Sequence, residues 1–177
     1  MVVDAVAELA DGEVDSLLEA AIILLPALIA NPTPVLIKGR RPIDFGLNFI
    51  DGRRILGDGK TWEGLIVGTL AGGVLGATAW HLLDINLPLT LAFLIALGAL
   101  LGDAAVSFFK RRLGLRRGAP APLLDQLDFY AGALAASYLS GYTWSIYTIL
   151  VTAVLIILLH FSANVAAYIL GLKKEPW

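Results

Sequence analysis

All thirteen Lys and Arg residues of the chain lie in three short stretches, and long apolar runs separate those stretches. The first holds Lys38, Arg40, Arg41, Arg53, Arg54 and Lys60, the second Lys110, Arg111, Arg112, Arg116 and Arg117, and the last Lys173 and Lys174. With 58% of 177 residues hydrophobic and 16% charged, a soluble fold of this size could not cover its apolar side chains with polar surface. The pattern predicts an all-α integral membrane protein, a single transmembrane domain over residues 1–177, with every basic loop facing the cytoplasm.

A spanning helix needs about 20 apolar residues to cross a hydrocarbon layer of about 30 Å. Five segments qualify, at about 14–37, 62–83, 88–109, 124–140 and 142–170, leaving cytoplasmic loops 38–61 and 110–123. Pro26 is expected to kink the first, and the last is long enough to tilt. Five transmembrane helices put the N-terminus outside and the C-terminus in the cytoplasm. The N-terminus carries Asp4, Glu8, Asp11, Glu13, Asp15 and Glu19 and no cation, so a signal peptide is not expected. Trp80, Tyr142 and Trp144 are expected at the outer interface, and Trp62 and Trp177 at the inner one. Gly68, Gly72 and Gly76, like Gly98 and Gly102, recur every four residues, which suits close helix packing within the chain or a homodimer seam.

The absence of Cys excludes disulfides, thiolate metal sites and Cys nucleophiles. No nucleic-acid partner is expected. What remains is carboxylate and cation chemistry. Asp103, Ser107 and Lys110/Arg111 share one face of the third span, and Asp103 lies about two turns inside its apolar end. A carboxylate at that depth needs a cation, a polar cavity or a metal. Asp125 and Asp128 point the same way from the start of the fourth span. The plain alternatives are a salt bridge to Lys110 or another cation for Asp103, and a favourable helix-dipole position for one of the other two. Three carboxylates at neighbouring helix ends fit a hard-cation site better, with Mg²⁺ shared with substrate phosphates.

Residues 57–64 (GDGKTWEG) open the second span. Arg54 stands where a P-loop needs its first glycine, and no strand precedes the segment, so that motif is excluded. An anion seat at a helix N-terminus survives, with Lys60 and Thr61 as phosphate contacts and Glu63 complementing the dipole. Asp51-Gly52 begins like the motif of membrane alcohol phosphotransferases, but their later paired Asp residues are missing. Asn31, in Asn31-Pro32-Thr33-Pro34, suits helix breaking, with headgroup or base contact as the alternative. His81, near the outer face, and His160, deep in the fifth span, read as packing residues.

Ser107-Phe108-Phe109-Lys110-Arg111 followed by Asp125-Gln126-Leu127-Asp128 resembles the signature of the CDP-diacylglycerol synthases, and Gly59-Lys60-Thr61-Trp62-Glu63-Gly64 is similar to a second segment of those enzymes. The short length, five spans, Asn31–Val35 and the Lys38–Asp44 run are similar to the archaeal branch, the CDP-archaeol synthases. The likeness covers about residues 31–128. His-Gly-Gly is absent, Arg117 replaces an acid and Gln126 an arginine. The resemblance implies a cytidylyltransferase that joins CTP to an isoprenoid glycerol phosphate ether lipid and releases diphosphate in phospholipid biosynthesis. It implies catalytic roles for Asp103, Asp125, Asp128 and Lys110, with the three Asp residues holding Mg²⁺. Lys60, Thr61, Ser107, Lys110, Arg111 and Arg116 would contact CTP phosphates, and Lys38 and Arg40 the lipid phosphate. Two rivals stay open: a transporter or channel with Asp103 as ion relay, and a scaffold whose basic loops only attract anionic lipid.

Overall fold

The structure is a computed structural model that describes residues 17–116, 119, 121 and 123–169. The N-terminal acids Asp4 to Asp15, Arg117, Pro120, Pro122, Lys173, Lys174 and Trp177 lie outside the described residues. Among the described residues seven helices follow in order: α1 (Leu17–Ile23), α2 (Leu25–Ala30), α3 (Thr33–Ile37), α4 (Trp62–Leu82), α5 (Leu89–Arg112), α6 (Leu124–Leu139) and α7 (Ile146–Ile169). Among the described residues no strand forms, only two isolated bridges within the 38–61 loop and its junction with α4. Among the described residues two helices, α4 and α5, are long and apolar enough to cross a membrane, and the bent segment from α1 to α3 makes up to three. α6 has 16 residues and rises only about 24 Å.

Proline chemistry shapes the first segment. The chain bends by 46° between Leu17–Ile23 and Leu25–Ile37. Pro26 has no N–H to give the carbonyl of Ile22. Trp80 fills that vacancy, donating from Nε1 to the Ile22 oxygen at 2.6 Å. A free carbonyl inside a bundle costs several kcal/mol in an apolar medium, so this bond fixes α4 against the break. Trp80 is only 1% exposed. The aromatic-belt position expected for it is therefore wrong: the indole is a core group recruited by a proline-freed carbonyl. A second break follows at Asn31-Pro32, and Thr33 Oγ1 donates back to Ile29 O at 2.7 Å.

Glycine allows the remaining helices to touch. A Cβ on Gly132 of α6 would collide with the Gly98 carbonyl and with Gly102 of α5, and one on Gly102 with the Asp128 carbonyl. On α4, a Cβ on Gly72 would strike the Pro26 carbonyl, Ala30 and Ala96, and one on Gly76 would strike Pro26. The glycine stripes therefore serve packing within one chain. α7 is held to α6 by Tyr130, whose hydroxyl donates to Ile149 O at 3.0 Å and meets Thr152. Ile23, Leu24, Ala27, Ile95, Phe129 and Ile156 fill the interior, while Ile66, Leu70, Val74, Leu94, Leu101 and Leu158 face outward, as a lipid solvent permits.

The C-terminal end of α5 runs three residues past the expected 109, so Lys110, Arg111 and Arg112 are helical, in keeping with the face Lys110 and Arg111 share with Asp103 and Ser107. It ends in a Schellman motif: Leu115 N–H bonds Lys110 O and Gly114 N–H bonds Arg111 O, both at 3.0 Å, with Gly114 at φ +75°. Gly132→Ala should lower stability by about 1–3 kcal/mol, because the α5–α6 seam has no room for a methyl group. Thermal melts in detergent, with outward-facing Leu101→Ala as the near-neutral control, measure that difference.

Candidate active site

The loop before α4 is built around a buried carboxylate. Asp44 accepts from Arg54 Nη2 at 2.7 Å and Nε at 3.3 Å, from Leu56 and Gly57 N–H at 2.9 Å each, and from Gly46 N–H at 3.1 Å. Burial pushes its pKa up, but the bonds from Arg54, Gly57, Leu56 and Gly46 outweigh burial and hold the carboxyl well below the usual carboxylate range. Arg54 also donates to Asp58 at 2.7 Å, and its hydrogen bonds to the two acids push its own pKa further up. Pairing of residues 41–43 with 60–62 then sets the last step into the helix: Ile43 N–H bonds Lys60 O at 2.8 Å and Trp62 N–H bonds Arg41 O at 2.9 Å. Thr61 caps α4 by accepting from Gly64 N–H at 3.2 Å.

Lys60 is thereby aimed into the bundle, where its ammonium pairs with Asp103 of α5. Asp128 of α6 stands beside them, 7% exposed, interacting with both Asp103 and Lys60. Two turns further along α5, Lys110 is 8% exposed and bonds both oxygens of Asp125, at 2.7 and 2.9 Å. Asp125 also accepts from Ala121 N–H at 2.9 Å. These groups face one cavity of about 510 Å³. Lys60, Asp103, Ser107, Lys110, Asp125 and Asp128 form its polar wall, and Arg111, Asn31, Leu56, Gly57 and Gly59 line it as well.

Several expected residues stand elsewhere. Thr61 lines a neighbouring cavity of about 380 Å³ with Lys38, Asn31, Lys60 and Asp103. Arg40 lines neither cavity, and Glu63 accepts the Arg41 N–H at 3.1 Å from outside. Arg116 faces a third basin, beside Arg111. His160 requires a correction: it is not remote from the basic loops but lines the main cavity, its ring 6.4 Å from that of Phe129. A stripe at four-residue spacing, Thr148, Thr152, Ile156 and His160, marked the inner face of α7, and its first three members are buried.

Arg112 and Asp44 are the residues that the sequence pattern left unremarked. The Arg112 guanidinium lies 4.8 Å from the ring centres of both Phe49 and Phe108 and donates to the carbonyls of Arg53 and Arg54. Arg53 answers by donating to the carbonyls of Arg111 and Arg112. This crossed latch fastens the loop to the end of α5.

Asp103 and Asp128 supply hard oxygen donors of the kind Mg²⁺ takes when substrate phosphates complete its shell. Among the described residues no three acidic or imidazole groups already stand at metal-holding spacing, since Asp125 turns to Lys110. The donor set fits a metal that arrives with a phosphate substrate.

A family model described as CarS-like, CDP-archaeol synthase, matches residues 14–177. The chain belongs to that family. It is 57% identical over 172 residues to the CDP-archaeol synthase of Aeropyrum pernix, covering 94% of this chain and 96% of the relative. It is 51% identical over 162 residues to the CDP-archaeol synthase of Hyperthermus butylicus, covering 90% and 96%. For that of Pyrococcus horikoshii the identity is 44% over 170 residues, covering 93% and 99%. A solved structure of an intramembrane enzyme for archaeal membrane lipids biosynthesis is 56% identical and superposes with a TM-score of 0.80, covering 84% of this chain and 94% of that one. The chain is thus an all-helical, membrane-embedded member of the CDP-archaeol synthase family.

Because the folded Asp44 pKa is depressed, its contribution is complete above the ordinary carboxylate pKa of about 4 and fades as pH falls below it. Melting temperature should therefore drop between pH 5 and 3, and Asp44→Asn should remove part of that slope. At pH 7 the same variant should cost about 1–3 kcal/mol, because Arg54 keeps only Asp58 as an ionic partner and the loop amides lose a charged acceptor.

Proposed function

We propose that this chain is a CTP-dependent cytidylyltransferase. It transfers CMP from CTP to an isoprenoid glycerol phosphate ether lipid of the 2,3-bis-O-geranylgeranyl-glycerol 1-phosphate type, giving CDP-archaeol and diphosphate. The observation that carries this reading is the meeting, in one cavity, of Lys60, Lys110 and Arg111 with Asp103, Asp125 and Asp128, all at the loop-facing ends of α4, α5 and α6. Family membership agrees with it.

The chemistry asks little of a general base. An oxygen of the lipid phosphate monoester, already anionic near neutral pH, attacks the α-phosphorus of CTP. The bond from that phosphorus to the α–β bridging oxygen breaks, and its electron pair leaves with the diphosphate. The barrier lies in bringing anions together and stabilising charge on the leaving group. Lys60, Lys110 and Arg111 hold the triphosphate, and Ser107 orients a phosphate oxygen from the α5 face it shares with Lys110 and Arg111. Lys60 lines both the main cavity and the neighbouring one that contains Lys38. It is therefore placed to touch both substrates, with Lys38, and Arg40 at the surface, drawing the lipid phosphate inward. Thr61 shares that second cavity. Asp103 and Asp128, joined by Asp125 once it turns from Lys110, would hold Mg²⁺, which supplies Lewis-acid neutralisation of phosphate charge when bound.

The bilayer arrangement we infer has five crossings, the N-terminus outside and the C-terminus and site on the cytoplasmic side. The cation-rich segments flanking the cavity support it. Any homodimer would use lipid-facing side chains, since the glycine faces are filled from within.

Purified protein given labelled CTP, Mg²⁺ and matched ether- or ester-linked lipid phosphates should form CDP-lipid. Chelation should stop it, and Asp103→Asn or Asp128→Asn should lower turnover by about 100-fold or more. Full turnover in either variant would refute the metal assignment, and no CDP-lipid from any acidic lipid would refute the activity.

A further inference from the structure

Beside the main cavity lies a basin of about 360 Å³ lined by Arg53, Arg54, Arg111 and Arg116, with Asp58 its one acidic wall residue. Gly57 and Arg111 belong to both spaces, so they meet across one backbone turn and one guanidinium. The four arginines are not equivalent. Arg53 is spent on the carbonyls at the end of α5, and Arg54 on Asp44 and Asp58. Among the described residues Arg111 gives a single hydrogen bond, from Nη2 to Arg116 O at 3.3 Å, and its buried Nε meets no acceptor. The Arg116 side chain, exposed at the rim, has no hydrogen bond or ion pair among the described residues. Gly114, at φ +75°, turns the chain back after α5 and so brings Arg116 over the basin.

Charge balance distinguishes the two spaces. In the main cavity Lys60 and Lys110 are already matched by Asp103 and Asp125. Among the described residues the basin gathers four guanidinium groups against Asp58 in its wall and Asp44 behind Arg54, and Arg111 and Arg116 keep donors to spare. Guanidinium forks match phosphate oxygens two at a time. A multiply charged anion released in the main cavity therefore finds the more cationic surroundings one step away, on the side of the loop.

We propose that the basin is a second anion site, separate from the nucleotide site, that takes inorganic diphosphate as it leaves the reaction, with Arg116 its main uncommitted donor. The assignment rests on the main cavity being the CTP site. Calorimetric titration of inorganic diphosphate into the full chain in detergent, with and without saturating CTP and without lipid substrate, separates the two. Two binding events are expected in buffer, and one of them survives CTP. Arg116→Ala should weaken the surviving event by about tenfold, the worth of one charge-assisted contact, and Arg116→Lys should restore part of it. A thermal melt checks that both variants are folded. A single event that CTP abolishes, a surviving event indifferent to Arg116→Ala, or no binding at all would each overturn the proposal. If CTP displaces neither event, the cytidylyltransferase reading falls, while an Arg116-dependent event still upholds the basin.

Discussion

Asp103 and Asp128 face each other from two helices of an apolar bundle, and the rest of the structure is arranged around their charge. Carboxylates inside a bundle are costly without a cation or a polar cavity. Their helices can carry them side by side only because Gly98, Gly102 and Gly132 let the two backbones touch. The nearest compensating charge, Lys60, comes from outside the bundle, so the loop that presents it must be as rigid as a helix.

That rigidity is built from polar groups. Asp44 gathers Arg54 and three backbone amides into one knot, the 41–43 and 60–62 segments pair, and Arg112 and Arg53 exchange bonds to each other's backbone. Phe49 and Phe108 flank the Arg112 guanidinium and shield it. An ammonium delivered by this loop holds its position beside Asp103 without a metal, and it remains within reach of incoming phosphates. Substrate and metal would then replace one compensated arrangement by another instead of entering a bare cluster of acids. Lys110 and Asp125 repeat the device nearer the helix ends, two turns along α5 from Asp103 and one turn along α6 from Asp128.

The sequence disclosed the helices well, because long apolar runs bounded by cations leave few alternatives. The bounds of α4 and α6 differ from the expected ones by about a residue. α5 was read short because a charged Lys-Arg-Arg end ends an apolar run but not a helix. Asp103, Lys110 and Asp125 could be singled out from spacing and depth. Their pairings could not, since Lys60 and Asp103 are 43 positions apart and meet only through the loop fold. Trp80 was misplaced for a related reason: its partner is a carbonyl freed by Pro26 on another helix, and sequence distance conceals such a bond. His160 was misjudged because its own neighbours are apolar, whereas the cavity it lines belongs to α5 and α6.

The direct test is whether the intramembrane acids hold a divalent ion once phosphates are present. Mn²⁺ binding followed by electron paramagnetic resonance, with CTP and the unaltered chain, should reveal bound ion that disappears in the Asp103→Asn/Asp128→Asn double variant while the fold survives. Mn²⁺ retained at full occupancy and affinity in that variant would contradict the account.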